Sequence, residues 1–572
     1  MERSGKVIIT RDGKEILSTL EICDPIVKIT IDALFAQRST IGDGTKVSFI
    51  LLRKLLESLD FHIPVSSCET SRRQQIIKVL HEIQGNVLPT LMKKCMQYGT
   101  VKQSFYEIGN LKNILTEGCE GFFTCKFPKL ISKSLSKLVI NFLFYSCISG
   151  NDFLKRILNL YDSQISIFEV YKISLLKSSI SEGYILTRDF KYFNINMNTD
   201  DVKTVFWTLD IEHKNGNGDS FYKLELCEEM ILKSVSYKQN CFQKYASYLK
   251  SNGITCILSS VYFPDWAVSE CRSQGISLVD MIDKVEWDFL VTHFKCSSIH
   301  SYLDLLDETT YIMIERVAPI VLGTGRFAKL SGIGCHQIVL CGSTVTQCKQ
   351  FSAACHNALK YIKNWVEDSI SFSDWKDNCE NPNKNSLYYL IGKKSVNLDF
   401  HEVNSGLYYV PSGGYLELLL LYLIDNCEIV PKVSVIGSVL KTIFLEVPSI
   451  LHRKACRKSH SNFLNYLTEV NNSFAKMMQY GCIELNNHRE KSKKSALSAK
   501  ENEKNCEESE FELTTDILHT YFKKQKFKCY QNPITTFHIL LSVIQTSLLI
   551  LNIECIFSTN KRISRVLEKN YT

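Results

Sequence analysis

The apolar positions of this chain fall into two spacings that alternate along its length. Lys6–Thr10 is β-branched and apolar, Arg11-Asp-Gly13 carries an Asp-Gly turn, and Glu15 opens a helical pattern, so the start reads as a short hairpin leading into helices. Pro25 suits a helix start, and Ile26, Ile29, Ala33 and Leu34 follow at helical spacing. That run breaks at Ile41-Gly-Asp-Gly-Thr45, and Val47, Ile50, Leu51, Leu55 and Leu59 mark a second helix. From about Gln84 to Phe153 the pattern predicts helix throughout. Ile165–Tyr171 then alternates with period two and Gly183–Thr187 reads as another strand, which places a domain transition near Ser163–Ile185.

Residues 190–334 predict an α/β module. Val202–Ile211, Ile254–Ser259 and Gly275–Val279 read as strands, and Glu228–Leu249, Pro264–Gln274 and Ile282–Phe294 as helices. The order is βαβαβα, whose parallel crossovers are right-handed almost by rule. His336–Cys341 is a further strand. On the helix Thr344–Val366, Cys348, Phe351, Cys355, Leu359 and Ile362 recur at three- and four-residue steps, which makes both cysteines core residues. Residues 367–405 and 488–510 are polar and read as surface insertions. Between them Gly406–Val410 is a strand that runs through Pro411-Ser-Gly-Gly414 into the apolar helix Tyr415–Asp425. Thr535–Ile553 is a long buried helix, followed by Cys555-Ile-Phe557 and a basic tail.

Composition narrows the class. With 572 residues, 45% hydrophobic, 11 Pro and 26 Gly, the chain builds cores and predicts about three domains, not a disordered or collagen-like protein. A net charge of +7 over this length, with no basic cluster interleaved with aromatics, argues against nucleic-acid binding. The 22 cysteines include no CxxC pair, and the opening residues reach no apolar signal region, so the thiols read as reduced and cytosolic. Ser542, Gln545, Thr546, Ser547 and Asn552 interrupt the most apolar stretch, and no membrane span is predicted.

The sharpest chemical element is Gly42-Asp-Gly-Thr45 at a helix N-terminus. Free backbone donors and a partial positive charge make such an end an anion site, and glycines let the backbone approach a phosphate closely. Asp43 suits a magnesium ion and Thr45 a phosphate oxygen; the same residues equally suit a plain capping turn. Pro411-Ser-Gly-Gly414 is a second such turn, and the pair suggests a discontinuous domain whose halves meet around one ligand. The neighbours Cys335-His336 and Cys355-His356 are not expected to form a thiol catalytic pair, since neighbours on a helix, as Cys355 and His356 are, point about 100° apart. His62 and His300 read as local hydrogen-bond partners.

GKVIITRDGKEIL, EICDPIVKITIDA and GDGTKVSFILLRKLL, in this order, resemble the group II chaperonins. FEVYKISLLKSSISEGYILTRDF, YYVPSGGYLELLL and NPITTFHILLSVIQTSLLILNIECIF continue the likeness. ITCILSSVYFPDWAVSECRSQGISLVDMI and HQIVLCGSTVTQCKQFSAACHNALKYIK bring it nearest to the Bardet-Biedl syndrome chaperonin-like branch, over Gly5 to about Phe557.

The resemblance implies an α+β multidomain chaperonin fold. Residues 1–135 and 367–572 would form a mostly helical equatorial domain, 136–188 and 335–366 a small α/β intermediate domain, and 189–334 an α/β apical domain. It implies ATP and magnesium as cofactors, with Gly42, Asp43, Gly44, Thr45, Gly413 and Gly414 around the nucleotide and Asp43 at the metal.

Asn357 stands in His356-Asn-Ala-Leu359 where the family has a catalytic aspartate. An amide accepts no proton and carries no full charge, so efficient ATP hydrolysis is not expected. Lys46-Val47 and Ser412 also depart from the pattern, and the chain opens at the hairpin, without the family's earlier helix and Gly-Pro phosphate loop. The implied function is a chaperonin-like factor for folding or assembling the ciliary BBSome. Its implied partners are the cytosolic chaperonin subunits, sister Bardet-Biedl chaperonin-like proteins and BBSome subunits, in the cytoplasm or at the centrosome and ciliary base. The rival readings are an active ATP-driven ring subunit and a scaffold without nucleotide.

Overall fold

The computed structural model describes residues 13–20, 22–41, 44–63, 69–158, 167–194, 200–211, 228–377, 406–426, 429, 431, 434–456, 463–475 and 529–553. The expected hairpin at 6–10, the segment 555–557 and the polar tract 488–510 lie outside them. The chain divides into two compact units, one from Met1–Ser136, Ser146–Asn159 and Asn357–Thr572, the other from Lys137–Tyr145 and Leu160–His356.

The first unit opens with helices α1 (Gly13–Ser18), α2 (Pro25–Ile41), α3 (Thr45–His62) and α4 (Glu69–Glu82). A π-turn, Ile83–Val87, leads into α5 (Leu88–Tyr98), strand β1 (Val101–Ser104) and α6 (Ile108–Thr124). Asp24 starts α2 by accepting from the amides of Ile26 (2.8 Å) and Val27 (3.2 Å). The buried stripe of α2 is Thr30, Ile31 and Leu34, whereas Ile29 is 41% exposed. The helix is the one the apolar spacing predicts; two overlapping helical spacings share Leu34, and packing against the closing helix, Pro533–Leu551, selects the inward one. β1 is a strand inside a stretch expected to be wholly helical. Its register, Val101 opposite Tyr409, is supplied by β11 (Gly406–Pro411), some 300 residues later, beyond the reach of local pattern. β12 (Tyr530–Gln531) completes this antiparallel sheet.

Helix α7 (Lys129–Leu143) carries the chain across the boundary between the units, α8 (Gly150–Leu158) returns to the first, and α12 (Val345–Asp377) crosses again. In the first unit α12 is an anchor. Tyr361 stacks on Phe122 at 5.4 Å, the Trp365 indole donates to Tyr408 O at 2.7 Å, and Ser369 Oγ accepts from the Tyr408 amide. Ser369, Ile370 and Phe372 are buried, which corrects the reading of 367–405 as surface insertion over its first part. Their helical spacing continues the stripe of Ile362 and Val366, a signal masked by the polar residues between them. Residues 378–405 lie outside the described residues.

The second unit holds two sheets. In the smaller, β10 (His336–Gly342) lies between β2 (Ile167–Tyr171), which is parallel to it, and β3 (Ser179–Glu182), which is antiparallel. The larger has the order β4-β9-β8-β5-β6-β7. Its strands are β4 (Tyr184–Ile185), β5 (Asp200–Trp207), β6 (Cys256–Ser259), β7 (Ser277–Val279), β8 (Tyr311–Leu322) and β9 (Gly325–Ser331). The helices between them are α9 (Glu228–Ser251), α10 (Asp265–Gln274) and α11 (Lys284–Phe294). β5, β6 and β7 are parallel, as the βαβαβα pattern predicts, and both faces are covered: Phe206 meets Trp287 on one side, Trp207 meets Phe242 and Phe263 on the other. The β8–β9 hairpin is absent from the sequence reading. β8 is only intermittently buried, so it shows no clean alternation.

Gly183 sits at φ 86°, and a Cβ there would lie 2.1 Å from Leu330 O. Gly183→Ala should therefore destabilise the fold by about 2 kcal/mol or more, whereas Gly109→Ala, with open space within α6, should stabilise it by about 0.5–1 kcal/mol. Urea midpoints moving in opposite directions for the two variants would verify this.

Candidate functional site: two glycine turns and Asn357

Both glycine turns belong to the first unit. Gly44 is the N-cap of α3, left-handed at φ 95°, and as a glycine it supplies no side-chain cap. Ser48 closes the first turn, its amide and hydroxyl both reaching Gly44 O, at 2.9 and 3.0 Å. A Cβ on Gly44 would come 2.6 Å from Ile539 Cδ1, so backbone twist and packing both require glycine there. Thr45 is buried as the first helical residue. Gly42 and Asp43 lie outside the described residues.

The later turn leaves β11 with the Ser412 amide donating to Cys529 O at 3.0 Å. Gly413 (φ 90°) and Gly414 (φ 91°) are both left-handed and precede the helix Tyr415–Asn426. A Cβ on Gly413 would meet nothing within 4 Å, while one on Gly414 would lie 3.2 Å from Pro448. The first turn is thus set against the closing helix and the second against the helix Val435–Cys456, on which α3 also packs. Two helix starts preceded by left-handed glycines, one of them with open space where a Cβ would stand, fit an anionic phosphate group. Among the described residues no cluster of three metal-ligating side chains occurs.

Asn357 is half-buried on α12, between buried Cys355 and buried Ala358. The polar anchor further along that helix escaped the sequence reading. Asp368 accepts from Asn532 Nδ2 at 2.8 Å and meets His538 Nε2 at 3.3 Å, while Asn532 Oδ1 caps the closing helix through the Ile534 amide. Burial pushes the Cys348 thiol up to about 11 and that of Cys335 up to about 12, which fits inert core residues. Two helices, Val435–Cys456 and Pro533–Leu551, contain stretches long and apolar enough to cross a membrane. The second is 61% buried, with Phe537 and Ser547 fully enclosed, as a core helix requires.

A model of the TCP-1/cpn60 chaperonin family matches residues 1–371. The chain belongs to this family. Among curated relatives, the human protein named BBSome complex assembly protein BBS10 is 23% identical over 396 residues, covering 64% of this chain and 53% of that protein. Human T-complex protein 1 subunit beta is 22% identical over 388 residues, 64% of this chain and 65% of its own. The chain thus spans about half the length of its BBS10 relatives. A crystal structure of a group III chaperonin in the open state matches with a TM-score of 0.61 and 13% identity, over 97% of this chain and 93% of the other. The fold is a multidomain α+β chaperonin fold.

Glu417, in the first turn after Gly414, is 8% exposed, and its Oε2 has no partner among the described residues. Burial raises its pKa. Below about pH 4 the group is protonated in folded and unfolded chains alike and carries no penalty. As pH rises, the unfolded chain releases the proton first, so the folded state loses stability until the folded-state pKa is passed. Glu417→Gln should flatten this pH dependence and raise the melting temperature at neutral pH by roughly 2–4 °C, with little change near pH 4, read from thermal scans across pH.

Proposed function

We propose that this protein is a chaperonin-like assembly factor that helps build the ciliary BBSome together with cytosolic chaperonin subunits and sister Bardet-Biedl chaperonin-like proteins. It binds ATP and magnesium at the two glycine turns and hydrolyses ATP slowly or not at all. The observation that carries the reading is Asn357. It lies on the long helix α12 where family resemblance calls for an aspartate, while both turns keep the left-handed glycines that let a backbone approach phosphate. The amide can orient a water by hydrogen bonding but takes up no proton and adds no negative charge, so the attacking water stays poorly activated. The name borne by the BBS10 relatives supports the assembly role. The role is proposed for the cytoplasm, with the centrosome or ciliary base as a second place of action.

Asn357→Asp should raise ATP turnover by about tenfold or more above the natural chain, measured as phosphate release. Magnesium-ATP should raise the melting temperature, and Gly413→Val should abolish that shift; a natural chain unmoved by ATP would leave the nucleotide-free scaffold. Robust hydrolysis by the natural chain would favour the active ring subunit. Affinity purification of the tagged protein should recover chaperonin and BBSome subunits, and its recovery alone would overturn the assembly role.

A further inference from the structure

β2 is an edge strand. In its three-stranded sheet it pairs with β10 from Ile167 opposite Ile338 to Tyr171 opposite Gly342, and among the described residues no strand pairs with its other edge. A row of unpaired main-chain groups on a strand edge is a template for another extended chain. Natural sheets blunt such an edge by covering it, and here a cleft of about 780 Å³ opens onto it, lined by all five β2 residues in succession and lying wholly within the second unit. Consecutive strand residues point to opposite faces, so five in a row lining one cleft means that the edge itself forms its wall.

The two sides of this wall differ in chemistry. Phe168 and Val170 point toward the β8–β9 turn, where Phe168 meets Phe327 edge-to-face at 4.9 Å and Leu322 completes an apolar rim. Glu169 and Tyr171 lie on the other face, hydrogen-bonded to each other at 2.9 Å, and the cleft there is floored by one side of α12 that presents Lys349, Ser352 and Ala353 at helical spacing. Lys349 is exposed and makes no ion pair among the described residues. Five strand residues run about 17 Å, so an added segment of about five residues would pair along the whole of the edge that lines the cleft.

We propose that the free edge of β2 is a docking site for an extended segment of a partner polypeptide, added as a further strand, with apolar side chains toward Phe168 and Phe327 and polar ones toward α12. The main chain supplies the bonds, so recognition depends on an apolar–polar alternation and not on one sequence. The site is built from residues other than the glycine turns and requires no nucleotide.

The test uses the full chain and a fluorescein-labelled peptide of alternating Thr and Val with a Lys at each end, followed by anisotropy without nucleotide. Saturable binding is expected. Methylating alternate peptide amides on one edge should weaken binding by at least about tenfold, and methylating those on the other edge should not, because only one edge pairs with β2. Ala353→Arg, an exposed position that projects a long side chain into the cleft, should abolish binding with an unchanged melting temperature. Absence of saturable binding, equal affinity for both methylated peptides, or full binding by Ala353→Arg at unchanged stability would each overturn the proposal. Equal affinity would mean that the cleft holds apolar side chains without strand pairing.

Discussion

The anchoring of the C-terminal part of α12 in the first unit is the constraint on which that unit depends. Three distant stretches of chain must close on one core there, and no local turn joins them. The Trp365 indole bonded to Tyr408 O ties α12 to β11, and Asp368, shared between Asn532 and His538, ties it to the start of the closing helix. Each contact places a buried polar group on a partner from another segment, and an unpaired buried donor costs about 1–3 kcal/mol, so an alternative register would leave several groups unpaired. Gly118 adds a steric condition, because a Cβ there would come 2.5 Å from the Trp365 ring. The indole seats only against a bare stretch of α6.

That anchoring gives the chemistry of Asn357 its meaning. Position 357 lies on a long helix whose following turns are anchored through Tyr361, Trp365 and Ser369, so it has a helical backbone and not a loop's range of conformations. The glycine turns are fixed by the same packing: Gly44 is pinned by Ile539 and Gly414 by Pro448. Gly44 and Gly414 are thus held left-handed by the packing of the first unit itself.

The second unit shows a different economy. Its six-stranded sheet is covered on both faces by aromatic clusters around Phe206 and Trp207, and Glu286, buried at the start of α11, accepts from the Thr187 amide and hydroxyl at 3.0 and 2.9 Å. Burial raises the Glu286 pKa while those two hydrogen bonds oppose the shift. In the three-stranded sheet, by contrast, no strand among the described residues pairs with the outer edge of β2. Completed apolar faces and an incomplete main-chain edge within one unit separate what holds the fold from what remains available to a partner.

Local pattern determined much by itself. The parallel strand–helix alternation, the buried cysteines of α12, the glycine turns at two helix starts and the amide at 357 were all legible, because each rests on spacing within a few residues or on a residue's own chemistry. Tertiary structure alone decided the rest. Whether Ile29 or Ile31 faces inward, that Val101–Ser104 is a strand, that 367–372 is core, and that β8 and β9 pair all depend on partners far along the chain. Burial and hydrogen bonding are properties of pairs, and no spacing rule within one segment contains its partner. The same holds for Glu417 and the β2 edge: a carboxyl is ordinary and a strand complete until packing shows which groups have been left without a counterpart.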